Sequence, residues 1–145
     1  MSQFPGLEPV LNPHSELTIN EEDRIVQHIV IHNGSPQMIA QERFSRNEWH
    51  ILLPLLQAYP GYVAYETLLA ALRGVSLSTA QQQLEEARRT RTVRQELKAV
   101  RNAIDHIDAK LSSFSLTLVP IHTRGYTLAL LKEEIHGNSP SSSVI

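Results

Sequence analysis

Residues 92–131 read TVRQELKAVRNAIDHIDAKLSSFSLTLVPIHTRGYTLALL, and the apolar pattern of this segment indicates the fold. Its first half carries apolar residues at alternating steps of four and three, the repeat of a helix that packs along its whole length. The apolar stripe would be about 28 Å long if it were helical throughout. It consists of Val93, Leu97, Val100, Ile104, Ile107 and Leu111.

The second half of the stretch changes to a strand pattern. Residues 116–121 and 126–131 are rich in β-branched and other apolar side chains, and they flank the short sequence His122-Thr-Arg-Gly125. This predicts a β-hairpin with a glycine at its tip. Pro120 restricts the first of the two strands to an edge or an end, because proline donates no backbone hydrogen bond.

The N-terminal part predicts a small antiparallel sheet. Residues 24–32 are rich in β-branched side chains and end at Asn33-Gly34, a pair that tolerates the positive φ of a tight turn. The chain should return as a second strand over residues 37–43, and a weaker strand is expected over residues 17–20.

Three helix starts are indicated by capping-box patterns: Ser45-x-x-Glu48, Ser78-x-x-Gln81 and Thr92-x-x-Gln95. Pro54 lies inside the first helix and should kink it, because it removes a backbone donor. A second helix is expected from about Tyr65 to a stop at Gly74. The face that the first helix should bury carries Trp49, Leu52, Leu53 and Leu56.

Residues 79–111 contain neither glycine nor proline, yet their apolar positions change phase. One stripe is formed by Ala80, Leu84 and Ala87, and the long stripe begins at Val93. This favours two helices with a short joint at residues 88–92, and one long bent helix is the alternative. The long stripe is interpreted as the core-facing side of its helix, with a dimer seam as the alternative.

The length of 145 residues fits one domain. We expect a flexible N-terminal lead over residues 1–16, a folded domain over residues 17–131 and a flexible, serine-rich tail over residues 132–145. Within the domain, the sheet should cover residues 17–43, the helices residues 45–112 and the hairpin residues 116–131.

The composition argues against several functional classes. The chain has no cysteine, which excludes disulfides, thiolate metal sites and cysteine nucleophiles. No apolar run is long enough to span a membrane and no export signal is evident, so we expect a cytoplasmic protein without a membrane partner. His28 and His32 share a strand face but lack a third ligand nearby, so no metal is expected. The sequence shows no phosphate-cradling loop and no catalytic motif, so we expect neither an enzyme nor a cofactor.

Charge is distributed unevenly along the chain. Thirteen basic and fifteen acidic residues give a formal net charge of −2, whereas a dedicated nucleic-acid binder is usually basic. Positions 88 to 101 contain six basic residues and a single acidic residue, Glu96. This run is interpreted either as a solvated helix face or as a phosphate-binding surface. Its cations are Arg88, Arg89, Arg91, Arg94, Lys98 and Arg101.

Four motifs, in this order, resemble the effector domain of the OmpR/PhoB response regulators. FSRNEWHILL (44–53) is similar to the family's first helix, and YPGYVAYETLL (59–69) to its proline-glycine turn and second helix. The spacing of Val100, Ile104, Ile107 and Leu111 matches its recognition helix, and GYTL (125–128) the end of its wing. The resemblance covers residues 17–131. It implies an α+β winged helix-turn-helix with an N-terminal antiparallel sheet, three to four helices and a C-terminal hairpin wing.

The resemblance also implies a sequence-specific DNA-binding transcription regulator. The recognition helix would enter the major groove, with the six cations of the run on phosphates and Asn102, Asp105 and His106 on bases. Lys110 and Arg124 fall on basic positions of the family. The wing tip, consisting of His122, Thr123 and Arg124, would lie beside the helix, with Arg124 in the minor groove.

The sequence departs from the family in three respects. Asp105, His106 and Asp108 stand where the family often has arginine or other uncharged and basic residues. Residues 76–91 replace a shorter loop that contacts RNA polymerase in the family. We also expect no receiver domain. The alternative function is a winged-helix protein-interaction module that does not bind DNA. Besides double-stranded DNA, the partners to consider are a second copy of the chain, RNA polymerase and another regulatory protein.

Overall fold

The computed structural model describes residues 2–3 and 15–130, which form two antiparallel sheets and five α-helices. The expected α+β class is therefore confirmed. Residues 1, 4–14 and 131–145 lie outside the described part, and they include most of the expected lead and all of the expected tail.

The first sheet has four strands, β1 (Ser2–Gln3), β2 (Ser15–Asn20), β3 (Ile25–His32) and β4 (Ser35–Arg43), which pair in that order. As predicted, β3 and β4 are joined by a tight turn in which Asn33 and Gly34 have φ values of 54° and 80°. The sheet begins earlier than predicted, because β1, in the segment expected to be a lead, pairs with Thr18 and Ile19 of β2.

Helix α1 (Arg46–Ala58) starts at the predicted capping box: the Ser45 hydroxyl accepts a hydrogen bond from Glu48 N, and the Glu48 carboxylate accepts one from Ser45 N. The helix continues through Pro54 without interruption. Strand β5 (Tyr62–Ala64) follows, and α2 (Tyr65–Arg73) ends, as predicted, at Gly74 in the left-handed conformation.

Residues 77–111 form three helical segments: α3 (Leu77–Thr90), α4 (Val93–Glu96) and α5 (Lys98–Leu111). The joint between α3 and α4 falls in the predicted region, where Arg91 has a φ of 59°. A further irregularity occurs at Leu97. The backbone bonds from Leu97 N to Val93 O and from Arg101 N to Leu97 O keep α-helical spacing, so α4 and α5 follow one helical path.

Two of the predicted capping boxes were wrong. The N-cap of α3 is Ser76, not Ser78, and its hydroxyl accepts from Thr79 N. Thr92 precedes α4 but makes no capping bond with its side chain. Ser76 starts the helix two residues earlier, so Leu77 lies in its first turn with 47% of its surface exposed.

A 3₁₀ turn at Ser112–Phe114 leads into β6 (Leu116–Ile121), which pairs with β7 (Gly125–Leu130). The second sheet has the order β5-β7-β6, so β5, which leads into α2, lies beside this C-terminal hairpin. The glycine expected at the hairpin tip is instead the first residue of β7. The left-handed turn residue is Thr123, with a φ of 59°.

One hydrophobic core joins both sheets and the helices. The long stripe faces this core: Val93 is partly buried, and the five other stripe residues are almost completely buried. The core interpretation of the stripe therefore holds, because the stripe packs within its own chain. Among the described residues, no helix combines the length and apolar character needed to cross a membrane.

Candidate functional site

One flank of the α4–α5 path carries three cations, and Arg101, the last of them, lies beside the β6–β7 hairpin. Arg94, Lys98 and Arg101 are spaced four and three residues apart, so they follow one another along the helix. Arg101 lines the same cleft as His122 and Thr123 of the hairpin. We call Arg94, Lys98 and Arg101 the basic flank.

The single acid of the basic run is neutralised from another helix. Arg73, at the end of α2, donates to the Glu96 carboxylate at 2.6 Å and to Gln83 Oε1 of α3 at 2.6 Å. This arrangement ties α2, α3 and α4 together. It also removes the negative charge that would offset the neighbouring Arg94 and Lys98.

The cations of the run differ in their pairing. Arg88 and Arg89 pair with Glu85 and Glu86, one turn earlier on the exposed surface of α3. Arg91, Arg94 and Lys98 are exposed and form no ion pair with the described residues. Exposed ion pairs contribute little to stability, so the α3 pairs can open to release their arginines.

Arg101 is half-buried and lies close to the hydroxyl of Tyr126. Burial raises the pKa of Tyr126, and the neighbouring Tyr65 and Asp105 raise it further, while Arg101 opposes them. The Tyr126 hydroxyl therefore stays protonated at neutral pH. Tyr65 packs edge-on against Tyr126, with ring centroids 5.7 Å apart.

The opposite flank of α5 faces α1. The exposed side chains of Asn102 and His106 border a groove shared with Asn47. Lys110 lies further along this flank, and its ammonium donates to the Glu48 carboxylate at 2.9 Å and to the Arg43 carbonyl at 2.8 Å. Lys110 is thus separated from the basic flank and is engaged with partners of its own.

The two aspartates of α5 have different surroundings. Asp105 is exposed, whereas Asp108 accepts hydrogen bonds from Thr117 Oγ1 at 2.8 Å and from Leu118 N at 2.9 Å. Asp108 therefore joins α5 to β6. Its charge is directed at the hairpin backbone, so it is not an exposed acid on the outer face of the helix.

The tip of the β6–β7 hairpin exposes His122, Thr123 and Arg124. The backbone of Arg124 is held at both ends, because its N–H donates to Ile121 O and its carbonyl accepts from Tyr65 N, each at 2.9 Å. The tip is therefore fixed against the start of α2, and its side chains project from a rigid turn.

A half-open cleft of about 540 Å³ separates the end of α3 from the hairpin. Its polar lining is Arg88, Arg101, His122 and Thr123, four of the predicted site residues. The rest of the lining consists of Tyr65 and of apolar side chains from α3, α4, the α4–α5 junction and β6. The structure thus brings these four residues together.

The described residues contain no group of three histidine, aspartate or glutamate side chains that could hold a metal ion. Burial lowers the pKa of His28, and its Nε2 is buried without a hydrogen-bond partner among those residues. His32 is exposed near the end of the same strand.

Three residues of the site were not indicated by sequence. In the sequence, Tyr65 and Tyr126 belong to the helix and wing motifs without a sign of their contact, and Arg73 belongs to no motif. One feature of the sequence could have indicated the aromatic pair. A tyrosine occurs at the start of the second helix, and another occurs in the predicted hairpin. The link from Arg73 to Glu96 spans 23 residues and had no local signal.

Comparisons of the chain with models of protein families, with curated proteins and with solved structures gave no match. The interpretation of the site therefore depends on its own residues.

Proposed function

We propose that the chain is a winged-helix protein that binds double-stranded DNA and regulates transcription. The observation that supports this most directly is the basic flank beside a rigid, exposed hairpin tip that carries His122 and Arg124. A helix that offers cations next to a hairpin is suited to contact phosphates while its outer side reads base edges.

In this arrangement, α4 and the start of α5 approach the major groove. Arg94 and Lys98 bind phosphates, since both are exposed and form no ion pair with the described residues. Asn102 pairs with adenine and Asp105 accepts from cytosine N4, as amide and carboxylate side chains do in the major groove. Arg124 lies in the adjacent minor groove.

Local charge matters more for this proposal than the net charge of −2. The attraction between cations and DNA decays within a Debye length of about 8 Å at physiological salt, so acids elsewhere on the surface have little effect. With Glu96 neutralised by Arg73, an acid that remains exposed beside the flank is Asp105, one turn after Arg101 on α5. Binding should therefore be strongly salt-dependent.

The test is a salt titration of binding to a mixed-sequence DNA duplex, followed by fluorescence anisotropy. We expect the double variant Arg94→Ala/Lys98→Ala to bind more weakly at every salt concentration. We also expect its plot of log affinity against log salt to be shallower by about 0.9 for each phosphate that the variant no longer neutralises.

The matched control is Arg43→Ala/Arg46→Ala, which removes the same charge from exposed residues before and at the start of α1. It should leave the salt slope close to that of the unmodified chain. Equal slopes for all three proteins would show that the basic flank does not face DNA. No binding even at low salt would reject the DNA function.

A protein-interaction module is the second candidate, and the β3–β4 hairpin favours it. Ile31, Met38 and Ile39 are exposed by 46%, 53% and 55%, and β4 is an edge strand. Exposed apolar side chains at a free edge are typical of surfaces that bind other chains. Sedimentation of the chain and of Ile39→Lys over a range of concentrations tests this, with self-association lost in the variant as the supporting result.

A further inference from the structure

The cleft between α3 and the β6–β7 hairpin has two kinds of lining. Leu84, Val93, Leu97, Pro120 and the ring of Tyr65 give it apolar walls, and cationic side chains lie at its rim. A volume of about 540 Å³ is within the usual range for small-molecule sites, which are mostly apolar with a few convergent polar groups.

The cations of the cleft are available to a ligand. Arg101 is half-buried beside the neutral Tyr126 hydroxyl and forms no ion pair with the described residues, so its charge is uncompensated. Arg88 is held only by the exposed pair with Glu85, at 3.4 Å. A guanidinium in a partly desolvated position attracts an anion more strongly than one in open solvent, because screening by water is reduced.

The apolar walls distinguish this cleft from a phosphate-binding surface. A DNA phosphate is surrounded by polar groups and gains nothing from contact with leucine, valine and proline side chains. An organic anion with an apolar body uses both parts, because its body is removed from water against the walls while its charge meets Arg101.

We propose that this cleft binds a small organic anion with an apolar body, such as an aromatic carboxylate. The carboxylate contacts Arg101, with Arg88 and Thr123 at the rim, and the ring packs against Val93, Leu97 and Pro120.

Occupancy of the cleft has a consequence for DNA, and this step rests on the proposed function. Arg101 belongs to the basic flank and His122 to the hairpin tip, so a ligand there competes for groups that DNA would use. By linkage, a ligand that weakens DNA binding is itself bound less tightly by the DNA complex. The chain would then be released from DNA when the anion is abundant.

Ligand binding is measured first on the free chain, by two-dimensional amide NMR during titration with 2-naphthoate. We expect shifts clustered around residues 84–88, 93–101 and 120–123, with a dissociation constant of about 1 mM or tighter, as suits a fragment-sized ligand. Two further probes separate the contribution of the charge from that of the apolar body. The neutral 2-naphthalenemethanol should bind at least 5-fold more weakly, and inorganic phosphate should not shift the amide signals of the apolar wall.

Variants locate the anion. Arg101→Gln should weaken 2-naphthoate binding at least 5-fold. Arg88→Gln, on the exposed surface of α3, should weaken it less and provides a second variant with little risk to folding. Arg94→Gln removes the same charge outside the cleft and should change affinity by less than 2-fold. Scattered or absent shifts would overturn the proposal, and so would equal losses for Arg94→Gln and Arg101→Gln or identical shifts with phosphate alone.

A second titration adds sodium 2-naphthoate to the complex with a DNA duplex, against equal concentrations of sodium chloride. Weaker DNA binding with the naphthoate alone supports the regulatory step, and identical curves reject it. If the duplex does not bind in the absence of ligand, the DNA function fails while the NMR result still decides the ligand site.

Discussion

Asp108 joins helix α5 to strand β6 through a single carboxylate oxygen. Its Oδ1 accepts from both Thr117 Oγ1 and the backbone N–H of Leu118, in a partly buried position. We expect Asp108→Ala to lower the free energy of unfolding by about 1–3 kcal/mol, because it leaves a partly buried backbone donor without its partner. Urea denaturation measures the loss.

Two comparisons sharpen this test. Asp108→Asn keeps an oxygen acceptor at the same position and should cost less than Asp108→Ala. Asp105→Ala removes an exposed carboxylate one turn earlier and should change the free energy of unfolding by less than about 0.5 kcal/mol. Similar losses for Asp105→Ala and Asp108→Ala would show that the tie to β6 contributes nothing.

Glu48 gives the stability a dependence on pH. Burial alone would raise the pKa of its carboxyl, but the hydrogen bonds from Ser45 and the charge and hydrogen bond of Lys110 together hold the pKa below its ordinary value. The stabilisation is therefore fully present above the unfolded pKa of about 4.3. It is lost as the pH falls through the lower pKa of the folded chain.

The variant Glu48→Gln checks this, because glutamine resembles the protonated carboxyl and retains an oxygen for Ser45 N. At pH 7 we expect Glu48→Gln to be less stable by about 1 kcal/mol, the usual size of a cap or charge-assisted bond. The difference in the free energy of unfolding between the two proteins should disappear as both are acidified below about pH 4. A difference that stays constant or grows on acidification would contradict the lowered pKa of Glu48.

At the scale of elements, Gly125 controls how the hairpin meets β5. A Cβ at this position would overlap the carbonyl oxygen of Val63 and lie 2.8 Å from its carbonyl carbon. Both are backbone atoms of the neighbouring strand, so they cannot move aside as a flexible side chain would. We expect Gly125→Ala to cost about 1–3 kcal/mol, typical of overpacking, and to accelerate amide exchange in β5.

Gly34→Ala is the control for Gly125→Ala. Gly34 has a φ of 80° but open space around its Cβ position, so alanine there carries about 1–2 kcal/mol of backbone strain without a clash. It should leave amide exchange in β5 unchanged. Faster exchange in β5 for both variants would mean that the close approach of Gly125 to Val63 is unimportant.

The sequence predicted elements well where the signal was local. The turn at Asn33-Gly34, the capping box of α1 and the stop at Gly74 each depend on neighbouring residues, and all three occur in the structure. The start of α3 was misplaced because Ser76 and Ser78 are both suitable caps. The irregularity at Leu97 had no local cause in the sequence, since neither glycine nor proline is nearby.

At the scale of the whole molecule, the candidate site could be predicted in part. The periodicity of the long stripe, which marks the core-facing side of α4 and α5, places Arg94, Lys98 and Asn102 on the solvent side, where they are exposed. Periodicity cannot reveal which element packs beside each flank, so it did not separate Lys110, which meets Glu48, from the basic flank. The neutralisation of Glu96 by Arg73 also depends on tertiary packing.

The shared core predicts that both sheets unfold together. Ile19 of β2 and Leu128 of β7 are 0% and 2% exposed and belong to the same cluster as Trp49 of α1. Ile19→Ala and Leu128→Ala should each cost about 2–5 kcal/mol, whereas Ile31→Ala, at an exposed position of β3, should cost less than about 0.5 kcal/mol.

In each protein, Trp49 fluorescence and far-ultraviolet circular dichroism should follow one urea transition. If Ile19→Ala instead produced an early loss of strand signal with Trp49 fluorescence unchanged, the first sheet would be a separate folding unit. The β6–β7 hairpin and α5 would then keep their positions without the first sheet.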